Sequence, residues 1–280
     1  MMEGLRRNYM TKLQGVNNLK KLIKCEIYKM KKMDNVLLIT LLFLYPIMWS
    51  VLVFRNEVSM VENGHSMLSW ILGMIFVMDK QFVIMMAFAL AVNELVFKEK
   101  SSGYINVIKM SGNQIGDIYR AKAVTEAIYF SFLFFFIIIG TGLCYQLFVN
   151  KVAAVSSGLL WNANELVPGI EIILIYFLDK CILLPMLFVY FGKKLNITKS
   201  VIIIAVLNLM DRGMSFLPGI GKFSIWANTK KAEHFVSLCQ KGAVNVHLES
   251  VILICIYTLI IWLVMGKEKG DKKYGIFKRC

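Results

Sequence analysis

The chain has 280 residues, of which 58% are hydrophobic and 18% are charged, and it carries a formal charge of +14. Ordinary soluble domains are about 45–50% apolar and about 25% charged, so this composition excludes a typical water-soluble core and favours a membrane protein. The excess of Lys and Arg alone would suit either nucleic acid or an anionic membrane surface. Its distribution along the chain favours the membrane and predicts no nucleic-acid partner.

The N-terminal segment, residues 1–35, is predicted to be cytoplasmic and to contain a basic amphipathic helix. Apolar residues from Leu13 to Met30 recur every three or four positions, and lysines occupy much of the remaining surface. This pattern is typical of a helix that lies on an anionic inner leaflet. Packing against a cytoplasmic partner is the alternative, and the two can coexist. The candidate residues of this interfacial helix are Glu26, Lys29, Lys31 and Lys32.

Six apolar runs follow, each of about the length that crosses a membrane. A bilayer core of about 30 Å needs about 20 helical residues. Backbone polar groups in lipid must be hydrogen-bonded within the segment, and no alternating pattern suggests a barrel, so the runs are predicted to be helices. The predicted fold class is an all-α integral membrane domain over residues 36–265. Its six transmembrane helices are predicted at residues 36–54, 80–97, 123–149, 169–191, 201–217 and 248–265.

Two parts of this domain are predicted to depart from simple spans. The apolar run Met67–Phe97 is too long for one crossing at about 1.5 Å of rise per residue. The crossing is therefore placed near residues 80–97, with Met67–Met78 at the outer surface or partly re-entering the membrane. The fifth run ends at Asp211–Gly213 and Pro218–Gly219, which favours a broken helix and a possible re-entrant element between spans five and six.

The basic residues predict the orientation of these spans. Residues 1–35, 98–122, 192–199 and 266–280 together hold 23 Lys and Arg, whereas residues 55–66, 150–168 and 218–247 hold 6. Because Lys and Arg near the ends of spans retain a loop on the cytoplasmic side, both termini are predicted to be cytoplasmic. This includes the basic tail at residues 266–280. The predicted location is the cell membrane, as a multi-pass protein.

Motifs for a catalytic, metal or cofactor site are not recognisable. Gly219–Lys222 (GIGK) lacks the earlier glycine of a phosphate-binding loop, since position 216 is Phe216, and it is followed by Phe223. The three histidines are scattered, and neither HExxH nor GxSxG occurs. We therefore expect no catalytic residue, metal ligand or cofactor-binding residue in this chain.

Charges within the apolar runs are expensive in lipid and therefore informative. Among them are three acid–base neighbours, Asp79–Lys80, Asp179–Lys180 and Asp211–Arg212. Adjacent helical residues point about 100° apart, so we expect each charge to find partners on other helices rather than to neutralise its neighbour. The second pair lies nearest the predicted bilayer midplane. A buried interhelical pair or dimer contact is one interpretation, and a substrate path lined by Asp179 and Lys180 is the other.

Two stretches resemble the permease subunits of type 2 ABC exporters, especially the small permeases of lantibiotic immunity and antimicrobial-peptide resistance. Cys25–Lys32 (CEIYKMKK) and the following apolar run with Pro46 are similar to the family's Glu-x-x-Lys-x-(Lys/Arg)-(Lys/Arg) entry into span one. Glu94–Gly103 (ELVFKEKSSG) and Tyr119–Lys122 (YRAK) resemble the loop after span two, which enters the ATPase subunit. Where many members have Pro before the coupling turn, this chain has Ser111–Gly112.

The resemblance implies a transport subunit rather than an enzyme. A separate ABC ATPase would bind ATP and push the amphipathic helix and the 98–122 loop. A second permease copy or a sister permease, membrane lipids and an amphipathic antimicrobial peptide are the other implied partners. The alternatives are an ABC permease for a drug, lipid or ion, a non-transporting membrane immunity or sensor protein, or a membrane-embedded enzyme. The ATPase-coupling candidates are Glu94, Lys98, Glu99, Gly103, Ser111, Gly112 and Lys122.

Overall fold

The computed structural model describes residues 19–30, 36–55, 57, 63–110, 114–247 and 249–266. Within these ranges the chain is helical and contains no β-strand, which confirms the all-α prediction. In chain order the helices are α1 (19–30), α2 (Val36–Phe54), α3 (Met67–Lys80), α4 (Val83–Ser101), α5 (Tyr104–Met110), α6 (Ile115–Leu147), α7 (Ala163–Gly192), α8 (Ile197–Met214), α9 (Ile225–Thr229), α10 (Phe235–Gln240) and α11 (Glu249–Gly266). Helices α5, α9 and α10 are short.

Among the described residues, two helices, α6 and α7, are long and apolar enough to cross a bilayer. A third candidate span is the pair α3 and α4, which are bent by 68° relative to each other. The predicted spans at residues 80–97, 123–149 and 169–191 fall on these helices. The other three fall on α2, α8 and α11, which do not meet the same criteria of length and composition among the described residues. Helix α8, for example, contains three charged residues, Lys199, Asp211 and Arg212.

The break between α3 and α4 lies at Gln81 and Phe82. Phe82 has φ of 59°, in the left-handed region that is unusual for a bulky side chain and costs of the order of 1–3 kcal/mol. The side chain of Gln81 accepts a hydrogen bond from Tyr45 Oη at 2.8 Å. Helix α3 itself belongs to the core, since Trp70 and Leu72 are fully buried. The run Met67–Met78 is therefore packed inside the helical bundle.

Helix α6 is the centre of the bundle and packs against α2, α3, α7 and α11. Its inner face includes Phe130, which stacks on Phe88 of α4 with ring centroids 3.8 Å apart. Gly140 has no side chain, and this allows Phe43 of α2 to pack directly against the α6 backbone. On the opposite face the large apolar side chains of Phe132 and Ile139 are more than half exposed. Such a face requires lipid or another protein to cover it.

The segment between α8 and α11 folds into turns and short helices. Residues Gly221–Phe223 and Lys230–His234 form 3-10 turns beside α9 and α10. A re-entrant element between the fifth and sixth predicted spans is not shown by this arrangement. The broken pair α3–α4 is instead the place where the helices bend as a broken span or a re-entrant loop would.

Candidate functional site: two buried charge clusters

Four charged side chains meet inside the protein, and they come from the two stretches that resemble ABC permeases. We name these residues, Glu26, Lys29, Glu99 and Lys122, the Lys122 cluster. Lys122 Nζ donates to Glu26 Oε2 at 2.9 Å and also donates to Glu99 Oε2. Lys29 Nζ donates to the other oxygens of the same carboxylates, at 2.7 Å for Glu26 and 2.8 Å for Glu99. Cations and anions therefore alternate around a closed ring of charge-assisted hydrogen bonds.

Burial of this ring is deepest at Lys122, whose side chain has no exposed area. Its ammonium group donates a third hydrogen bond to the Leu95 carbonyl oxygen at 2.7 Å. Leu95 lies in the π-helical turn Asn93–Phe97 of α4, and such turns occur frequently at functional sites. All three donors of the ammonium group thus have acceptors, which makes the burial of a lysine possible.

The Lys122 cluster joins three segments that are far apart in the sequence: α1, the end of α4 and the beginning of α6. Removing one partner from a buried ion pair costs about 3–5 kcal/mol, because a buried charge is left uncompensated. At Lys29 burial acts to lower the pKa, but the hydrogen bonds and charges of Glu26 and Glu99 outweigh it, so the pKa lies above its usual value. These interfacial-helix and coupling candidates therefore form one ionic unit.

The remaining coupling candidates lie outside this unit. Lys98 pairs with Glu94 at 2.5 Å across one turn of α4, and both side chains are largely exposed, so the pair contributes about 0.3–0.5 kcal/mol. Gly103 has φ of 76° between α4 and α5, a conformation that favours glycine. The other candidates, Ser111, Gly112, Lys31 and Lys32, lie outside the described residues.

A second group of buried charges consists of Asp79, Asp179 and Lys180, and we name it the Lys180 cluster. Lys180 Nζ lies 2.8 Å from Asp79 Oδ1 and 2.8 Å from Asp179 Oδ2. Asp79 lies at the end of α3, directly before the helix break, whereas the other two residues lie in the π-helical turn Leu178–Leu183 of α7. A broken helix and a π-helical turn thus meet at ion pairs well inside two candidate spans.

These contacts confirm one expectation about the intramembrane charges and correct another. Lys180 does find a partner on another helix, Asp79. The expectation that Asp179 and Lys180 do not neutralise each other was wrong, since their side chains are directly paired. The long lysine side chain turns back towards its neighbour, and the wider π-helical turn alters the angular separation assumed for an α-helix.

The third acid–base neighbour converges on the same helix break. Arg212 of α8 donates to the carbonyl oxygens of Asp79 at 3.2 Å and Lys80 at 3.4 Å, and its guanidinium lies 4.0 Å from the Trp226 ring centroid. The carboxylate of Asp211 accepts hydrogen bonds from the backbone N–H groups at the start of α9, including that of Trp226 at 2.8 Å. Asp79 and Arg212 therefore lie at the same site, although the sequence pattern had indicated only Asp179 and Lys180 as path residues. The signal for both was their charge within an apolar run.

Glu126 is a further buried carboxyl that sequence reasoning missed. It lies one turn beyond Lys122 on α6 and is completely buried. Neither carboxyl oxygen has a hydrogen-bond partner among the described residues. Glu126 is close enough to Lys122 and Glu26 to interact with their charges, but it makes no hydrogen bond to them. This contrast with Glu99 makes it useful as a control for the hydrogen-bonded ring.

Charge clustering of this kind can hold helices together, line a polar path or transmit movement between segments, whereas it does not assemble a metal site. Among the described residues, no group of His, Cys, Asp and Glu side chains is arranged to hold a metal ion. No protein-family model, curated protein or solved structure matches the chain.

Proposed function

We propose that this chain is the membrane-spanning permease subunit of an ATP-driven exporter similar to type 2 ABC exporters, and that it expels an amphipathic antimicrobial peptide from the membrane. The observation that supports this proposal best is the Lys122 cluster. It ties α1 to both ends of the 98–122 segment, which is the segment that the resemblance assigns to the ATPase contact.

The cluster offers a physical route for mechanical coupling. A force on the 98–122 segment acts on Glu99 at one end and on Lys122 at the other. Because the ion pairs are buried, α1, α4 and α6 move together more easily than they separate. Movement of α4 reaches the break before Phe82, and the Lys180 cluster lies directly beyond that break. Tilting these elements could alternate between two arrangements as the ATPase binds and releases ATP.

The Lys180 cluster supports a polar path through the membrane. Ionisable residues inside transmembrane segments commonly mark pathways for substrates or ions, and broken helices commonly form the binding sites of transporters. Asp179 and Lys180 are the proposed path residues, with Asp79 as their partner. Six spans, two cytoplasmic termini, a location in the cell membrane and a second permease copy or sister permease complete the proposal.

A membrane-embedded enzyme is the alternative function outside the transporter class. One buried group of polar side chains is relevant to this alternative. His65 Nδ1 lies 3.3 Å from Ser69 Oγ, whereas Glu165 bonds Ser66 Oγ at 2.5 Å. Nucleophilic catalysis requires a base that contacts the nucleophile and a third group that orients the base. The carboxylate here bonds a different serine, so this group is better explained as the cap of α3 and α7.

The first test is purification of the tagged full-length chain in mild detergent, with identification of bound subunits and an assay of ATP hydrolysis. We expect an ABC ATPase to accompany the chain. Glu99→Gln should reduce the stimulation of hydrolysis by peptide, whereas Glu57→Gln, which alters an exposed pair with Arg55, should not. A solitary chain, or equal behaviour of the two variants, would reject the coupling role. Peptide protection that persists with a hydrolysis-dead ATPase would favour passive immunity.

The proposed topology has its own test in intact cells. Lys109→Cys and Lys241→Cys, each in a cysteine-free background, place a thiol at two exposed positions, the first in α5 and the second directly after α10. The positive-inside assignment predicts that a membrane-impermeant maleimide labels only the variant at position 241. Labelling at position 109 would contradict the orientation, without bearing on the identity of the transported molecule.

A further inference from the structure

A cavity of about 410 Å³ lies in the segment between α8 and α11, and no residue of either charge cluster lines it. Its lining includes Ser215, Gly221, Lys222, Lys231 and His247, and no carboxylate contributes to it among the described residues. The cavity is therefore lined by positively charged and neutral groups. It also contains the Gly-x-Gly-Lys sequence that does not form a nucleotide-binding loop.

Lys231 is one of the two lysines that line this cavity. Its Nζ donates to Asn228 Oδ1 at 3.1 Å and to the Asn245 carbonyl oxygen, both of which are neutral acceptors. Burial lowers the pKa of Lys231, and no carboxylate lies within ion-pair distance of it among the described residues. The nearby Lys80 differs, because it pairs with Glu233 at 2.7 Å.

The position of Lys231 is determined by a buried scaffold. Asn228 is fully buried, and its Oδ1 also accepts the backbone N–H of His247 at 2.9 Å. The Asn228 amide group donates to Ser250 Oγ at 3.1 Å, at the beginning of α11. One asparagine therefore connects the lysine, the segment at His247 and the last helix. The cavity is a constructed feature rather than a chance meeting of surface lysines.

Apolar side chains surround the turn that forms one wall of the cavity. Phe216, Leu217 and Ile220 are each at least half exposed. Apolar groups next to lysines are typical of a surface at the boundary between lipid tails and headgroups. The backbone N–H of Gly221 is already bonded to the Leu217 carbonyl oxygen at 2.9 Å, so an anion would be held by side chains rather than by a backbone cradle.

We propose that this cavity binds a phosphate group through Lys222 and Lys231, and that the headgroup of an anionic membrane phospholipid supplies it. Lysine is a common phosphate ligand and provides a compact charge with three donors. A phospholipid places its phosphate in the cavity while its acyl chains lie against the apolar rim. Free phosphate has the same binding chemistry but gains nothing from that rim. This site is independent of the proposed transport function.

Native mass spectrometry of the full-length protein in detergent tests the proposal, by titration with phosphatidylglycerol, phosphatidylcholine or inorganic phosphate. We expect preferential binding of phosphatidylglycerol, weakened about tenfold by Lys231→Gln and by Lys222→Gln, since each change removes one charge-assisted hydrogen bond. Glutamine at position 231 retains a donor for Asn228, which limits disturbance of the scaffold. Lys241→Gln is the matched control, because Lys241 is exposed in the same segment but outside the cavity.

The binding results are compared among variants that keep the thermal stability of the parent protein, and each result supports or overturns the proposed phospholipid site. Unchanged phosphatidylglycerol binding in both cavity variants, or an equal loss in the Lys241 variant, would overturn the site. Inorganic phosphate that binds in a manner dependent on Lys231, without any lipid preference, would retain the anion site and overturn the assignment to phospholipid. Equal retention of phosphatidylcholine and phosphatidylglycerol would likewise overturn the requirement for an anionic headgroup.

Discussion

The substitution Glu99→Gln tests how much the Lys122 cluster contributes to stability, because it removes a charge with little change in the shape of the side chain. It removes the negative charge that bonds both Lys122 and Lys29. Breaking a buried pair costs about 3–5 kcal/mol. Glu99 retains 16% exposure and Glu26 still neutralises part of the charge, so we expect the lower half of that range, about 3–4 kcal/mol. Reversible unfolding of the purified protein in a mixed-detergent titration, followed by tryptophan fluorescence, measures the loss.

Glu126→Gln is the matched control for this experiment. It makes the same chemical change on a carboxyl that is also buried but has no hydrogen-bond partner among the described residues. Because burial without hydrogen-bond donors favours the neutral form of a carboxyl group, Glu126→Gln should leave stability unchanged within about 0.5 kcal/mol or increase it. Equal destabilisation by Glu99→Gln and Glu126→Gln would refute the ring of ion pairs as the cause.

Three further predictions follow from the packing and the charges. Lys180→Met leaves two buried aspartates without their shared cation and should lower the free energy of unfolding by about 3–5 kcal/mol. Asp179→Asn preserves the pair between Lys180 and Asp79 and should therefore lower it by less. Similar unfolding midpoints for the two variants would contradict this order. Gly140→Ala should lower the free energy of unfolding by about 1–3 kcal/mol, because the added methyl group forces α2 away from α6. Gly73→Ala should be neutral or stabilising, because a Cβ at position 73 meets open space. The same unfolding titration compares the two variants. Because the pKa of Lys29 is raised in the folded protein, its contribution is complete below the unfolded value of 10.5 and decreases as pH rises through the folded value. The stability difference between the parent protein and Lys29→Met should therefore be constant near neutral pH and decline only above about pH 10.5, and a decline between pH 6 and 8 would contradict the assignment.

The two charge clusters suggest a division of labour within the proposed permease. The Lys122 cluster connects segments that flank the proposed ATPase contact, and the Lys180 cluster lies at the break between α3 and α4. Glu99 lies near the end of α4, and Phe82 directly precedes the first residue of that helix, so α4 extends from the first cluster towards the second. This arrangement explains why disruption of the first cluster should alter coupling before it alters the proposed path.

Part of the candidate site could be predicted from the sequence, because charge in an apolar run is conspicuous whatever the fold. Lys180 was expected to need a partner on another helix, and it has one in Asp79. Its second partner, the neighbouring Asp179, was excluded by the geometry of a regular α-helix. The π-helical turn Leu178–Leu183 makes the difference, and no feature of the residue pattern announces such a turn.

The hydropathy pattern by itself determined that the chain is helical, because apolar segments in lipid must satisfy their backbone hydrogen bonds internally. The resemblance to permeases of type 2 ABC exporters, not hydropathy, gave Glu26, Lys29, Glu99 and Lys122 as separate candidates. Only the tertiary structure decided that these four meet, since Glu26 and Lys122 lie on different helices and hydropathy does not specify how helices rotate against one another. The 68° break between α3 and α4 is likewise determined by the tertiary structure, because the left-handed conformation of Phe82 depends on the packing around it.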